Sequence, residues 1–146
     1  MAKDTEREIV QQIDWAFSNL IESLKDLARS VPLDQNILRS AAFIEQTCGG
    51  LTANLWDDPF EWTLPETLSN ADRILEYLSE VDLARQRAFN SIRDDSALTK
   101  YISAPTGEQL LVNLLLETLV KAGEYRGRAV ATTKLLSGQG TQGFII

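Results

Sequence analysis

Histidine is absent from this 146-residue chain, and cysteine occurs once, at Cys48. Without an imidazole there is no Ser-His-Asp or Cys-His catalysis, no zinc site with histidine ligands, and no Glu-x-x-His motif of the carboxylate-bridged metal bundles. A single thiol excludes an intramolecular disulfide and any cysteine-based zinc site. No apolar run approaches the ~20 residues that span a bilayer. The opening MAKDTEREIVQQ is charged from its third residue and has no apolar h-region, so a cytoplasmic location is expected, with no membrane partner. Positive charge is scarce too: 14 Lys and Arg against 21 Asp and Glu leave a formal charge of -7, and the basic residues are scattered rather than striped. Duplex binding draws its affinity from Lys and Arg neutralising phosphates, so no nucleic-acid partner is expected either.

What is present is amphipathic helix. Apolar residues make up 44% and charged residues 24%, the balance of an ordinary globular domain, and the length suits one domain, residues 1–137, with a Gly-rich then apolar tail, 138–146. The longest periodic run is Thr106 to Leu136. Thr106 and Gln109 form a capping box at its start, and Gly138 is placed to end it. At about 100° per residue, Leu111, Leu114, Leu115, Thr118, Ala122, Tyr125, Ala129 and Leu136 share its core face. A second apolar strip, Val112, Leu116, Leu119 and Val130, lies beside that face, so the helix must be covered on two sides. Lys121 sits at the border of the core face with the polar strip Asn113, Glu117, Glu124 and Arg128.

Three further helices precede it. The first opens at a Thr5–Glu8 capping box and runs to about Ser30, with Ile9, Ile13, Ala16, Phe17, Leu20, Leu24 and Leu27 as its stripe. Trp15 lies nearly opposite that stripe, which calls for either a tail packed over it or a subunit interface. Asp34 caps the second, whose stripe is Ile37, Ser40, Ala41, Ile44, Cys48, Leu51 and Leu55. Gly49 and Gly50 each cost a helix about 1 kcal/mol relative to Ala, so a bend or stop is expected there. Cys48 reads as a small buried hydrophobe, because no basic neighbour is evident to activate it. WDDPFEW, residues 56–62, reads as a loop anchored by its rings. Thr63, Pro65 and Glu66 open the third helix, which runs to about residue 92, with Asp82 and Arg85 as a helix-surface pair. No strand-like alternation exceeds a few residues.

Four such helices with moderate connections predict an all-α, antiparallel four-helix bundle, and bundles build ligand sites from inward side chains on facing helices. Ser40 and Tyr125 are the inward polar groups, and Lys121, one turn before Tyr125, shares its flank. The plain alternative is that Ser and Tyr are satisfied inside the bundle while Lys snorkels from its edge.

In the same order the chain carries Leu38-Arg39-Ser40 with Glu45 five residues on, Trp62-Thr63-Leu64 after the aromatic loop, and Lys121 followed by Tyr125-Arg126-Gly127-Arg128. This pattern resembles the DinB-like family of four-helix bundles, which includes metal-dependent hydrolase-like proteins and thiol-dependent S-transferases. That family typically carries Leu-x-His in its second helix with an acidic residue five positions later, and His-x-x-x-His-Arg-Gly-Gln in its fourth. The three metal-binding histidines of the family fall on Ser40, Lys121 and Tyr125. A Ser hydroxyl is a weak ligand, and Lys and Tyr would each have to lose a tightly held proton. The resemblance therefore implies the family cavity, bounded by Ser40, Glu45, Lys121 and Tyr125, with no metal and no cofactor. A non-catalytic role in association or small-molecule binding is preferred. The alternative is a metal-independent enzyme or a thiol-dependent S-transferase with Lys121 or Tyr125 as general acid or base. Trp15, the second strip of the last helix and the Phe-Ile-Ile tail together predict a homodimer.

Overall fold

The computed structural model describes residues 4–30, 34–62 and 70–136. Among them are four long helices and one small sheet. Helix α1, Glu8–Ser30, follows a single 3-10 turn at Asp4–Arg7. Helix α2 spans Gln35–Ala53, a one-turn helix α3 spans Pro59–Trp62, and helix α4 spans Ala71–Asn90. A second 3-10 turn, Asp95–Thr99, leads into strands β1, Tyr101–Ala104, and β2, Gly107–Leu110, and helix α5 fills Leu111–Leu136. Both α1 and α2 pack against α4 and against α5, whereas α4 and α5 hardly touch. The tail 138–146 lies outside the described residues.

The core is apolar and close-packed. Phe17 and Phe89 meet with ring centroids 5.2 Å apart and tilted by 58°, surrounded by Ile21, Leu24, Ile37, Ile44, Ile74, Leu78 and Leu115, all fully buried. The stripe of α1 is Val10, Ile13, Phe17, Leu20, Ile21, Leu24 and Ala28, broad enough to meet two helices. Ile9, expected on that stripe, is exposed instead. Leu136 is exposed as well, at the far end of α5, and Leu55 is exposed because it follows the residue that turns the chain away from α2.

The helix ends differ from the sequence expectation in instructive ways. Helix α1 starts at Glu8, and its first free amides are taken from across the molecule: Ile9 N–H and Val10 N–H donate to Asp95 Oδ2 and Oδ1 at 3.1 and 2.9 Å. A carboxylate there satisfies orphan donors and suits the positive end of the helix dipole. Asp34 caps α2 as its type predicts, accepting from Asn36 N–H at 2.9 Å. Helix α2 does not stop at Gly49 or Gly50 but runs to Ala53, where Asn54 adopts φ 56° and its N–H, with that of Leu55, closes on Gly50 O and Gly49 O. Residues 56–62 are partly helical rather than a plain loop. Asn70, in an extended conformation, caps α4 by accepting from Arg73 N–H at 3.0 Å, so that helix begins at Ala71; the predicted opening at Thr63, Pro65 and Glu66 lies outside the described residues.

The largest departure is at Thr106. No capping box forms, because Thr106 occupies the turn of a hairpin pairing Tyr101 with Leu110 through Ala104 with Gly107. Gly107 holds φ 118°, which a helix excludes and which a side chain rarely permits. Helix α5 therefore starts five residues later than expected, with Leu111 N–H donating to Lys100 O at 2.9 Å.

Candidate functional site

Ser40 is fully buried, and its Oγ donates to Ala122 O at 2.6 Å. That bond ties α2 to the backbone of α5 and commits the hydroxyl proton. Lys121, one residue away on α5, points to solvent: its side chain is 49% exposed, and Nζ lies 2.9 Å from Glu117 Oε1. Tyr125 is half-buried rather than inside the core, under the Arg128 guanidinium at 4.4 Å. Its ring lies 5.6 Å from that of Phe43.

Phe43 stands between Lys121 and Tyr125. Lys121 Nζ and Arg39 Cζ stand 5.9 and 5.6 Å from its ring, so the ring occupies the ground that Lys121 and Tyr125 border. Arg39 also stacks 3.8 Å over the ring of Phe60 and donates to Asp58 Oδ2 at 2.6 Å. The aromatic segment after α2 is anchored by its rings, as its composition predicts.

Glu45 does not join the other three. It faces α4, where Tyr77 and Glu80 act on it. Burial raises its carboxyl above the ordinary range, the Tyr77 hydroxyl opposes that rise, and repulsion from Glu80 adds to it. The Tyr77 hydroxyl itself is buried without a hydrogen bond of good geometry, and burial with the neighbouring carboxyl pushes its own pKa up. Cys48 is buried and its thiol is pushed up to about 12, chiefly by burial, so it serves as packing.

Arg85 is not a surface group. It is 9% exposed and bridges two helices, with Nε donating to Asp82 Oδ1 at 2.9 Å and Nη1 bonded to Asp14 on α1. Burial works against its charge, but the two carboxylates outweigh it and hold the guanidinium more firmly protonated. The sequence signal was available: Asp14 flanks Ile13 and Phe17, where a carboxylate needs a partner.

A hollow of about 120 Å³ lies beside Phe43, between α2, α5 and the hairpin turn. Phe43, Trp56 and Leu114 supply its apolar wall. At its base Thr47 Oγ1 and Thr118 Oγ1 are 2.6 Å apart, both residues buried. Thr118 donates to Leu114 O, so the shared proton comes from Thr47 and neither hydroxyl has a donor to spare. Glu117 and Lys121 stand at its exposed edge.

Trp56 is seated on Gly50, the second of the two glycines that look like helix breakers. A Cβ on Gly50 would lie 2.2 Å from Trp56 Cε3, so the ring rests directly on the helix backbone. Asn54 Oδ1 accepts from Trp56 Nε1 at 2.9 Å, and Gln46 Nε2 donates to Trp56 O at 2.7 Å.

A second, shallower hollow of about 360 Å³ runs between α1 and α5, lined by Ala16, Leu20, Leu119, Gly123 and Arg126 among others. Of the predicted second strip, Val112 and Leu119 pack against the core and Val130 is half-buried, leaving Leu116 exposed. Val120, absent from that strip, is exposed beside it, and so is Trp15.

The donor chemistry does not fit a metal. Ser40 offers only a weak neutral hydroxyl, Lys121 is held by Glu117, and Tyr125 lies beneath a guanidinium. Among the described residues no group of three or more Asp, Glu or Cys side chains is placed to hold one. Comparison of the chain with family models, curated proteins and solved structures gives no match.

Proposed function

We propose that this chain is a DinB-like antiparallel four-helix bundle whose family metal centre has been replaced by packing, and that it works in the cytoplasm as a non-catalytic, small-molecule-binding protein. The observation that carries this reading is Phe43, whose ring takes up the space that Lys121 and Tyr125 border. The hollow beside it has apolar and hydroxyl walls that can hold a ligand but offer no activated nucleophile. The enzymatic alternative is less favoured, because Lys121 lacks the burial that would prepare it as a base and stays paired with Glu117. A thermal-shift screen of small molecules, low-molecular-weight thiols included, tests the binding role. Elemental analysis tests the site: one zinc, nickel or iron per chain, lost on Tyr125→Phe, would overturn it.

Association as a homodimer belongs to the same proposal. Trp15, Leu116 and Val120 are 68%, 47% and 70% exposed, on the two helices that border the shallow groove. Soluble monomers rarely leave large apolar surfaces uncovered, and twofold symmetry covers one self-complementary patch with another. Leu116→Glu with Val120→Glu should yield a folded monomer by light scattering, and a monomeric mass for the unmutated protein would rule the dimer out.

A further inference from the structure

We infer that the hollow beside Trp56 takes a small α-amino acid with an apolar side chain, the side chain inward and the ammonium and carboxylate at the rim against Glu117 and Lys121. This rests on the small-molecule reading above and names its ligand class. Size sets the inner part. A cavity of roughly 150 Å³ lined by apolar residues holds benzene, so about 120 Å³ takes a branched aliphatic group and little more. Phe43, Trp56 and Leu114, with Ala104 and Pro105, supply an apolar side for that group, while Gln46, Thr106 and Gln109 line the remainder. The hydroxyl protons of Thr47 and Thr118 are already committed, to each other and to Leu114 O, so the base has no donor to offer a polar ligand group. Trp56 is held at both its ring nitrogen and its carbonyl, which keeps that wall in place before anything binds.

The rim sets the outer part. Among the described residues, the charged groups lining the hollow are Glu117 and Lys121, equal and opposite, one turn apart on α5 and 2.9 Å from each other. Both are about half exposed, and an exposed ion pair contributes little, so opening it costs little. A simple anion on Lys121 would strand Glu117 and would also enter against the chain's charge of -7; a simple cation on Glu117 would strand Lys121. A ligand bearing both charges on one carbon satisfies each partner at once. The pair then exchanges for two charge-assisted contacts while the side chain displaces water from the aromatic wall.

Calorimetric titration of the full chain with L-valine and L-leucine tests this, beside N-acetyl-L-valine, which lacks the ammonium, L-valinamide, which lacks the carboxylate, and isobutyramide, which lacks both. The amino acids should bind, and losing either charge should weaken binding by about tenfold, as expected for one hydrogen bond to a charged group. Glu117→Gln and Lys121→Gln should each produce a similar loss for L-valine and none for isobutyramide, with circular dichroism confirming that these exposed-face variants fold. Equal or tighter binding of isobutyramide, N-acetyl-L-valine or L-valinamide would overturn the zwitterionic ligand and leave the binding role standing. The same holds if the amino acids fail but a broader small-molecule screen finds a ligand whose binding Gly50→Ala weakens. Silence across both the panel and the screen would overturn the ligand and the binding role together.

Discussion

Gly50→Ala offers a test in which two physical effects have opposite signs. In an ordinary helix interior the change from Gly to Ala stabilises by about 1 kcal/mol, since alanine loses less backbone freedom on folding. Here the new Cβ would stand 2.2 to 2.3 Å from three ring carbons of Trp56. Carbon atoms rest near 3.5 Å or beyond, so the ring must retreat by about 1 Å. It cannot do so freely, because Nε1 is bonded to Asn54 and the carbonyl to Gln46, and Asn54 also terminates α2 in its left-handed conformation. Overpacking of this kind costs about 1 to 3 kcal/mol, and loosening one hydrogen bond adds about 1. The net expectation is destabilisation by roughly 1 to 3 kcal/mol, read as a lower urea midpoint at unchanged slope. In a Trp56→Ala background the clash is gone, and Gly50→Ala should then stabilise by about 1 kcal/mol. The coupling between the two positions is therefore about 2 to 4 kcal/mol, well beyond what non-contacting residues show. Stabilisation by Gly50→Ala in the otherwise unmutated chain would refute the placement of Trp56 and, with it, the wall of the hollow.

Gly123→Ala is the control: nothing lies within 4 Å of a Cβ built there, so this change should raise stability by about 1 kcal/mol, by thermal denaturation, unless a twofold partner covers the groove. Arg85→Ala should cost about 3 kcal/mol in urea, because it leaves Asp14 and Asp82 without their shared cation in a mostly buried place, and adding Asp14→Asn should recover part of the loss. Glu45 gives a pH signature. Its folded carboxyl is raised above 4.5 by burial, so the folded chain holds that proton more tightly than the unfolded chain does, and its contribution to stability falls as pH rises from about 4.5 through the raised value. Glu45→Gln should therefore match the unmutated protein near pH 4 and exceed it near pH 7; a variant less stable at pH 7 would contradict the sign.

Helices were readable where burial repeats at three and four residues, because that periodicity is local. Ile13, Phe17, Leu20 and Leu24 were placed correctly from spacing alone. The hairpin was not readable, since strands of four residues carry too little alternation to compete with a helical reading of the same segment. Thr106 and Gln109 satisfy the letter of a capping box, yet Gly107 between them decides the matter by its positive φ. Long-range partners were invisible for a different reason. Asp95 caps a helix 85 residues away, and Arg85 reaches Asp14 across 71 residues, and no local pattern encodes either meeting.

The candidate site shows the same division between what faces inward and what fills the space there. Ser40 was correctly read as inward, and burial with a bond to Ala122 O is what a lone inward hydroxyl requires. Periodicity alone sets Tyr125 on the core face with Ala122 and Ala129, yet its ring lies half-buried at the margin beside Phe43. The residue types at Ser40, Lys121 and Tyr125 say nothing of the space between them, which Phe43 enters from a position three residues along α2. Glycine poses the same ambiguity in miniature. In a helix it reads as a breaker by propensity, and only the residue that lands on it separates a breaker from a seat: Trp56 makes Gly50 a seat, while Gly123 lies open, available to whatever covers that groove.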